Sequence, residues 1–192
     1  MPETNGEQSD EQLMVAFSRG ATDAFTELFS RYKQPLFGFF RRRVADPAHA
    51  EELTQETFLA LLRASSRYEP SALFRTYLYA IALNLLRAHR RKAAFRAIFL
   101  GAPPEREPAA HNSLDADLFL RDALGKLDAG EREILLLRDF EQLSYAEIAE
   151  LLRLPVNTVR SRLFRARTAL HDLLAAPAST ASTRLTEYEE RV

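Results

Sequence analysis

The sequence predicts an all-α protein of two small helical modules joined by a Pro-rich linker, and three observations predict it. Glycine is sparse, six in 192 residues, and helix formers dominate. Period-two runs of β-branched residues are missing, which removes the usual sign of strands. The segment Gly101 to Asn112 (GAPPEREPAAHN) holds three prolines and a glycine, so no helix runs through it. The chain therefore divides into a polar tail (1–10), a first module (11–98), a linker (99–112), a second module (113–175) and a polar C-terminal tail (176–192).

In the first module, Glu11 to Arg19 and Thr22 to Phe40 read as helices, the second bent or restarted near Pro35. Pro47 sits where a helix begins, and Ala48 to Arg63 follows. Its face Glu52, Gln55, Glu56, Leu59 is spaced i, i+3, i+4, i+7 and is polar until its end. Leu53, Phe58, Leu61 and Leu62 form the opposite, core-facing side. Arg67 to Ser71 (RYEPS) is a loop. From Leu73 a long helix resumes, with Leu78, Ile81, Ala82, Leu85 and Leu86 as its apolar stripe. Asn84, Arg87 and Arg91 fall on another face, so this is a basic amphipathic helix suited to a nucleic-acid groove or an anionic membrane. Tyr77 and Tyr79 precede the basic segment. Aromatics beside arginines suit stacking on unpaired bases, and one of the two is expected to be a core residue instead.

In the second module, Asp115 and Asp117 begin a helix, where capping explains them. The most specific pattern is Leu143 to Leu170, LSYAEIAELLRLPVNTVRSRLFRARTAL. Ser144 and Glu147 form a capping box that opens a short helix, whose inward face is Tyr145, Ile148, Ala149 and Leu152. Arg153, Leu154 and Pro155 make a tight turn. Val156, Val159, Leu163, Ala166, Leu170, Leu173 and Leu174 then give an apolar seam along a second helix. This is the helix-turn-helix arrangement. The other face of the second helix reads Asn157, Arg160, Ser161, Phe164, Arg165 and Thr168, residues that can donate to base edges and phosphates or touch a thymine methyl. A solvated face would mix acids with bases and would rarely carry a phenylalanine among arginines. Arg153 stands where such turns usually take glycine for a left-handed conformation.

Composition limits the chemistry. Cysteine is absent, which excludes disulfides, thiolate metal sites and a cysteine nucleophile, and the four histidines (His49, His89, His111, His171) are scattered. No histidine-rich metal centre is expected. Met1 to Glu11 is acidic and polar, unlike a signal peptide, and every apolar stretch is interrupted well short of a membrane span. The expected location is the cytoplasm, without membrane insertion.

The net charge of −1 conceals segregation. Asp128 to Glu150 carries seven acids and two bases, whereas Leu151 to His171 carries five arginines and no acid. Arg87 to Arg96 is a second basic run, also free of acids, and Arg31 to Arg43 a third. Blocks of one sign are the electrostatic footprint expected for phosphate. For Arg31 to Arg43 alone, a solvated helix face is the simpler account.

Three motifs together resemble the extracytoplasmic-function (ECF) sigma factors, bacterial RNA polymerase subunits, over about 11–175. AEELTQETFLALLR (Ala50 to Arg63) is similar to region 2.2, which docks on the polymerase clamp. FRTYLYAIALNLLRAHRRK (Phe74 to Lys92) is similar to regions 2.3 and 2.4, which melt and read the −10 element. LGKLDAGEREILLLRDFEQLSYAEIAELLRLPVNTVRSRLFRAR (Leu124 to Arg167) is similar to region 4, which reads the −35 element. The resemblance implies a region 2 bundle and a region 4 helix-turn-helix, with the linker in the polymerase active-site channel.

By position, it implies a polymerase-facing patch of Glu51, Glu52, Gln55, Glu56 and Leu59. It places Ser71, Phe74, Arg75, Thr76, Tyr77, Tyr79 and Asn84 around the melted −10 bases, with Arg87, Arg90, Arg91 and Lys92 on phosphate. The −35 readers would be Pro155, Asn157, Thr158, Arg160, Ser161, Phe164, Arg165 and Arg167. The implied partners are core RNA polymerase (β′ clamp and β flap), promoter DNA and an anti-sigma factor; catalysis would belong to the core enzyme. Tyr77 stands where tryptophan is usual, and Ala80 and Leu83 where arginines are often found. Two rival readings exist. A helix-turn-helix regulator accounts for 143–170 but not for the second basic helix or the Glu52–Leu59 face. A nuclease needs a carboxylate or histidine cluster, and the acids of 128–150 are spread along helices.

Overall fold

The computed structural model describes residues 8–70, 73–99 and 115–175, and among them there are helices and no strands. The chain forms two compact units that divide at 109/110. In the first unit, α1 (Asp10–Ser18), α2 (Thr22–Arg41), α3 (Pro47–Ala64), a 3₁₀ turn (Ser65–Arg67) and α4 (Phe74–Phe99) follow one another. In the second, α5 (Asp115–Lys126), α6 (Ala129–Asp139), α7 (Tyr145–Leu152) and α8 (Val156–Ala175) do so.

Local chemistry sets the helix starts. Ser9 and Gln12 form a capping box on α1, a pattern the sequence reading did not use. Asp46 caps α3 and Pro47 takes its first position, where the missing N–H removes nothing. Asp128 caps α6 through the amides of Gly130 and Glu131, and the predicted Ser144–Glu147 box opens α7.

α2 departs from the expected break at Pro35. It runs unbroken from Thr22 to Arg41, with Pro35 inside it and exposed. Proline lacks the N–H that would bond four residues back, and on a wet face water can solvate the gap. Burial supplies the compensation: Leu28, Leu36, Phe39 and Phe40 are fully enclosed. Each contributes roughly 1.5–3 kcal/mol of transfer free energy. With Met14, Leu61, Phe74, Leu78 and Leu86 they make the core of the first unit. Leu62, expected in that core, is 36% exposed at the edge of α3. Thr54 and Thr57 take buried positions instead, their hydroxyls donating at 2.7 Å to the carbonyls of Ala50 and Leu53.

The third basic run proves structural, though not merely solvated. Arg31 pairs with Asp10 and Glu27, and Arg41 donates to the Ala45 carbonyl. Arg43 is buried, its guanidinium 3.8 Å from the Phe39 ring centre and donating to the Phe39 carbonyl.

The second unit packs α5, α6 and α7 around α8, with Ile134, Leu137, Leu143, Ile148, Val159 and Ala166 at its centre. Arg153 is left-handed (φ 55°, ψ 48°), as its turn position requires. Its N–H donates to the Glu150 carbonyl and that of Leu154 to the Ala149 carbonyl, the paired bonds of a Schellman closure. α7 therefore ends in the geometry glycine would prefer, made by an arginine at a strain of about 1 kcal/mol.

Candidate nucleic-acid interface

α8 supplies the most complete surface. Val159, Leu163 and Ala166 are buried, whereas Asn157, Arg160, Ser161, Phe164, Arg165 and Arg167 are exposed, as is Pro155 before the helix. Thr158 is half-buried. Phe164 is 72% exposed, so packing among the described residues does not explain it. At about 100° per residue, Asn157, Ser161, Phe164 and Thr168 lie along the centre of the outward face, with Arg165 and Arg167 on opposite flanks. Both flanks are tied to α6. Arg165 Nε donates to Glu131 at 2.7 Å, and Arg167 hydrogen-bonds Asp139, which raises its pKa further. Partners eight residues apart on α6 and two apart on α8 mean that the helices cross steeply. Arg160 lies over the Tyr145 ring of α7, 5.7 Å from its centre, so a third side chain is steadied from the neighbouring helix.

The seam of α8 is shorter than its pattern. Val156 and Leu174 are exposed, and Leu170 and Leu173 half-buried. On α7, Leu151 rather than Leu152 is the buried leucine.

The residues assigned to the −10 element divide. Asn84, Arg87, Arg90, Arg91 and Lys92 are exposed along α4, while Arg75 and Tyr77 are half-buried. Tyr77, Ala80, Asn84, Arg87 and Arg91 share one stripe at i, i+3, i+7, i+10, i+14. Phe74, Thr76 and Tyr79 are buried core residues and form no part of the surface. Phe74 faces Tyr32 and Tyr68, and Tyr79 faces Phe39, because the start of α4 is threaded between the other helices. Tyr79 is the tyrosine that packs. Tyr77 is the one left at the surface, its ring 5.3 Å from Tyr68. Ser71 lies outside the described residues.

On α3, Glu51, Glu52, Gln55, Glu56 and Leu59 are all exposed, opposite Ala50, Leu53, Thr54, Thr57, Phe58 and Leu61. Glu52 and Glu56 also border a groove of about 580 Å³ against α4, whose other wall includes Lys92 and Arg96. Lys92 therefore points toward the acidic face rather than along the Tyr77–Arg91 stripe. Sequence reasoning missed Tyr68, and it missed Glu131 and Asp139 as partners of α8. Such partners become visible only once α6 is crossed with α8.

Among the described residues no cluster of histidines and carboxylates could hold a metal ion, and no helix is long and apolar enough to cross a membrane.

Comparison with known proteins gives matches to sigma-70 region 2 over residues 28–96 and to sigma-70 region 4 over residues 120–170. The RNA polymerase sigma-H factor of Pseudomonas aeruginosa is 32% identical, over 88% of this chain and 95% of that protein. The sigma factor CarQ of Myxococcus xanthus is 35% identical, over 84% of this chain and 95% of the relative. Among solved structures, CnrH in complex with the cytosolic domain of CnrY superposes with a TM-score of 0.69 at 29% identity, covering 89% of this chain and all of that one. The sigma factor RpoE of Bartonella quintana, in complex with the anti-sigma factor NepR, gives 0.67 at 25% identity over 80% of this chain and 98% of that chain.

Proposed function

The chain belongs to the ECF sigma factors of RNA polymerase, and from that premise we propose how its residues divide the work of promoter-specific transcription initiation. The observation that carries the division is the separation of surfaces. An acidic face on α3 and a cationic stripe on α4 share the first unit, and a donor-rich face on α8, free of acids from Val156 to His171, belongs to the second.

Glu51, Glu52, Gln55, Glu56 and Leu59 dock on the core polymerase. Residues 11–98 act as the region 2 module and 113–175 as the region 4 module, with 99–112 the linker between them. α8 reads the −35 element: Asn157, Arg160, Ser161 and Arg165 reach base edges and phosphates, Phe164 touches a thymine methyl, and Pro155 and Thr158 set the helix start. A bidentate arginine–guanine contact there discriminates by about 1–3 kcal/mol. Arg167, on the opposite flank of that face from Arg165, contributes a phosphate contact. At the −10 element Tyr77 and Asn84 meet unpaired bases, Ser71 and Arg75 border them, and Arg87, Arg90 and Arg91 hold phosphate. Extruding a base costs a few kcal/mol, which stacking and a fitted pocket offset. No catalytic step, metal or cofactor is assigned to this chain; nucleotidyl transfer belongs to the core enzyme. One structural neighbour is a sigma factor in complex with an anti-sigma factor, NepR, which supports an anti-sigma factor as a further partner here.

Pull-down with core RNA polymerase tests the division against a free-standing regulator. The chain is expected to bind core, and Glu56→Arg to bind it about tenfold or more weakly. Absence of core binding, together with tight binding of a duplex site by the free protein, would overturn the proposal.

A further inference from the structure

The start of α4 is held by a side chain from another helix. The Glu11 carboxylate, in the first turn of α1, accepts a hydrogen bond from the Phe74 N–H at 2.8 Å. Phe74 is the first residue of α4, so Glu11, from 63 positions away, accepts from one of the amides that a helix start leaves without an intrahelical partner. That bond is the main reason the Glu11 pKa lies below the usual carboxylate value, against an opposing push from burial. α1 is fixed in turn to α2: Asp10 accepts from the Tyr32 hydroxyl at 2.5 Å and from Arg31 at 2.8 Å.

Tyr68, between the 3₁₀ turn and α4, completes the arrangement. Its ring is 5.3 Å from Tyr77 and 6.3 Å from Phe74. Its hydroxyl is enclosed, with no hydrogen-bond partner among the described residues. Burial first, and then the Glu11 charge, pushes its pKa up. The two half-exposed rings thus lie side by side on a helix start that Glu11 fixes.

We infer that Glu11 is a positioning residue for strand opening: by capping α4 across the module, it fixes the Tyr68–Tyr77 ring pair against which unpaired −10 bases stack. This rests on the reading of α4 as the −10 surface and adds Tyr68 to it. Without the cap the first turn of α4 frays and both rings lose a defined spacing.

The test uses holoenzyme, assembled from core polymerase and the full chain, on a promoter recovered from a transcribed library with 2-aminopurine in its −10 element. Glu11→Ala is expected to open this promoter about tenfold more slowly, while its affinity for core and for a −35 duplex stays unchanged. Glu11→Gln is expected to recover opening, because its amide oxygen can accept the same bond. Asp10→Asn removes an anchor of α1 without touching α4, and should lower thermal stability but not opening. Equal opening by Glu11→Ala would overturn the inference. So would parallel losses of opening and melting temperature in Glu11→Ala and Asp10→Asn. Tyr68→Leu gives an independent reading should Glu11→Ala unfold: opening slows if the ring pair stacks bases, and unchanged opening overturns the proposal. Failure of wild-type holoenzyme to open any promoter would sink the −10 assignment itself, and the inference with it.

Discussion

The two basic helices, α4 and α8, use the same residue types but distribute them differently. On α8 the division is clean: Val159, Leu163 and Ala166 face inward, and Asn157, Arg160, Ser161 and Phe164 face outward. On α4 the aromatic start is mostly interior, with Phe74 and Tyr79 buried and Tyr77 half-exposed, and Arg75 is half-buried whereas Arg87, Arg90 and Arg91 are exposed. Position explains the contrast. α8 buries one side and leaves the other exposed, whereas the first turns of α4 put Phe74, Thr76 and Tyr79 into the core of their unit. A recognition surface on a threaded helix must therefore share its first turns with packing.

Phe74→Ala should destabilise the first unit by about 3–5 kcal/mol, the range for removing a buried aromatic, and thermal unfolding would measure it. Phe164→Ala, at an exposed position, should leave the melting temperature within a degree or so while weakening binding to −35 duplexes by about tenfold. Similar melting temperatures for the two variants would break the distinction between the helices.

Next in size is Glu56→Arg. Reversing an exposed charge on α3 should reduce core-polymerase affinity by about tenfold or more without a change in unfolding. A large drop in melting temperature would instead place Glu56 in a structural network, with Lys92 across the groove the first candidate partner. The smallest effect concerns the turn between α7 and α8. Arg153→Gly should raise stability by up to about 1 kcal/mol, read in denaturant unfolding, since glycine adopts φ 55° freely. Lower stability would show that the arginine side chain contributes more than the strain removes.

Periodicity carried most of the fold. The α3 faces, the capping box of α7 and the inward residues Val159, Leu163 and Ala166 could all be read from spacing, because one helix face determines burial directly. Three features could not. Pro35 looked like a break because proline removes a hydrogen bond, yet four enclosed side chains elsewhere on α2 hold the helix together. Phe74, Thr76 and Tyr79 looked like DNA contacts because the resemblance aligns residues without reporting which side of the helix is covered. The Glu11–Phe74 cap and the Arg165–Glu131 pair join residues 63 and 34 positions apart, and no local pattern encodes such contacts.

The net charge near zero has a structural counterpart. Glu131 and Asp139, from the acidic stretch, flank α8 and occupy Arg165 and Arg167 in the free protein. Such partly exposed pairs contribute only about 0.2–1 kcal/mol each, so DNA phosphate can displace them.

In vitro transcription by core polymerase over a randomised promoter library, comparing the wild-type chain with Arg165→Ala, locates promoter selection. Wild type is expected to select defined −35 and −10 sequences, and Arg165→Ala to relax selection at the −35 element alone. Selection lost equally at both elements, or an equal fall in transcription from every template, would contradict that expectation.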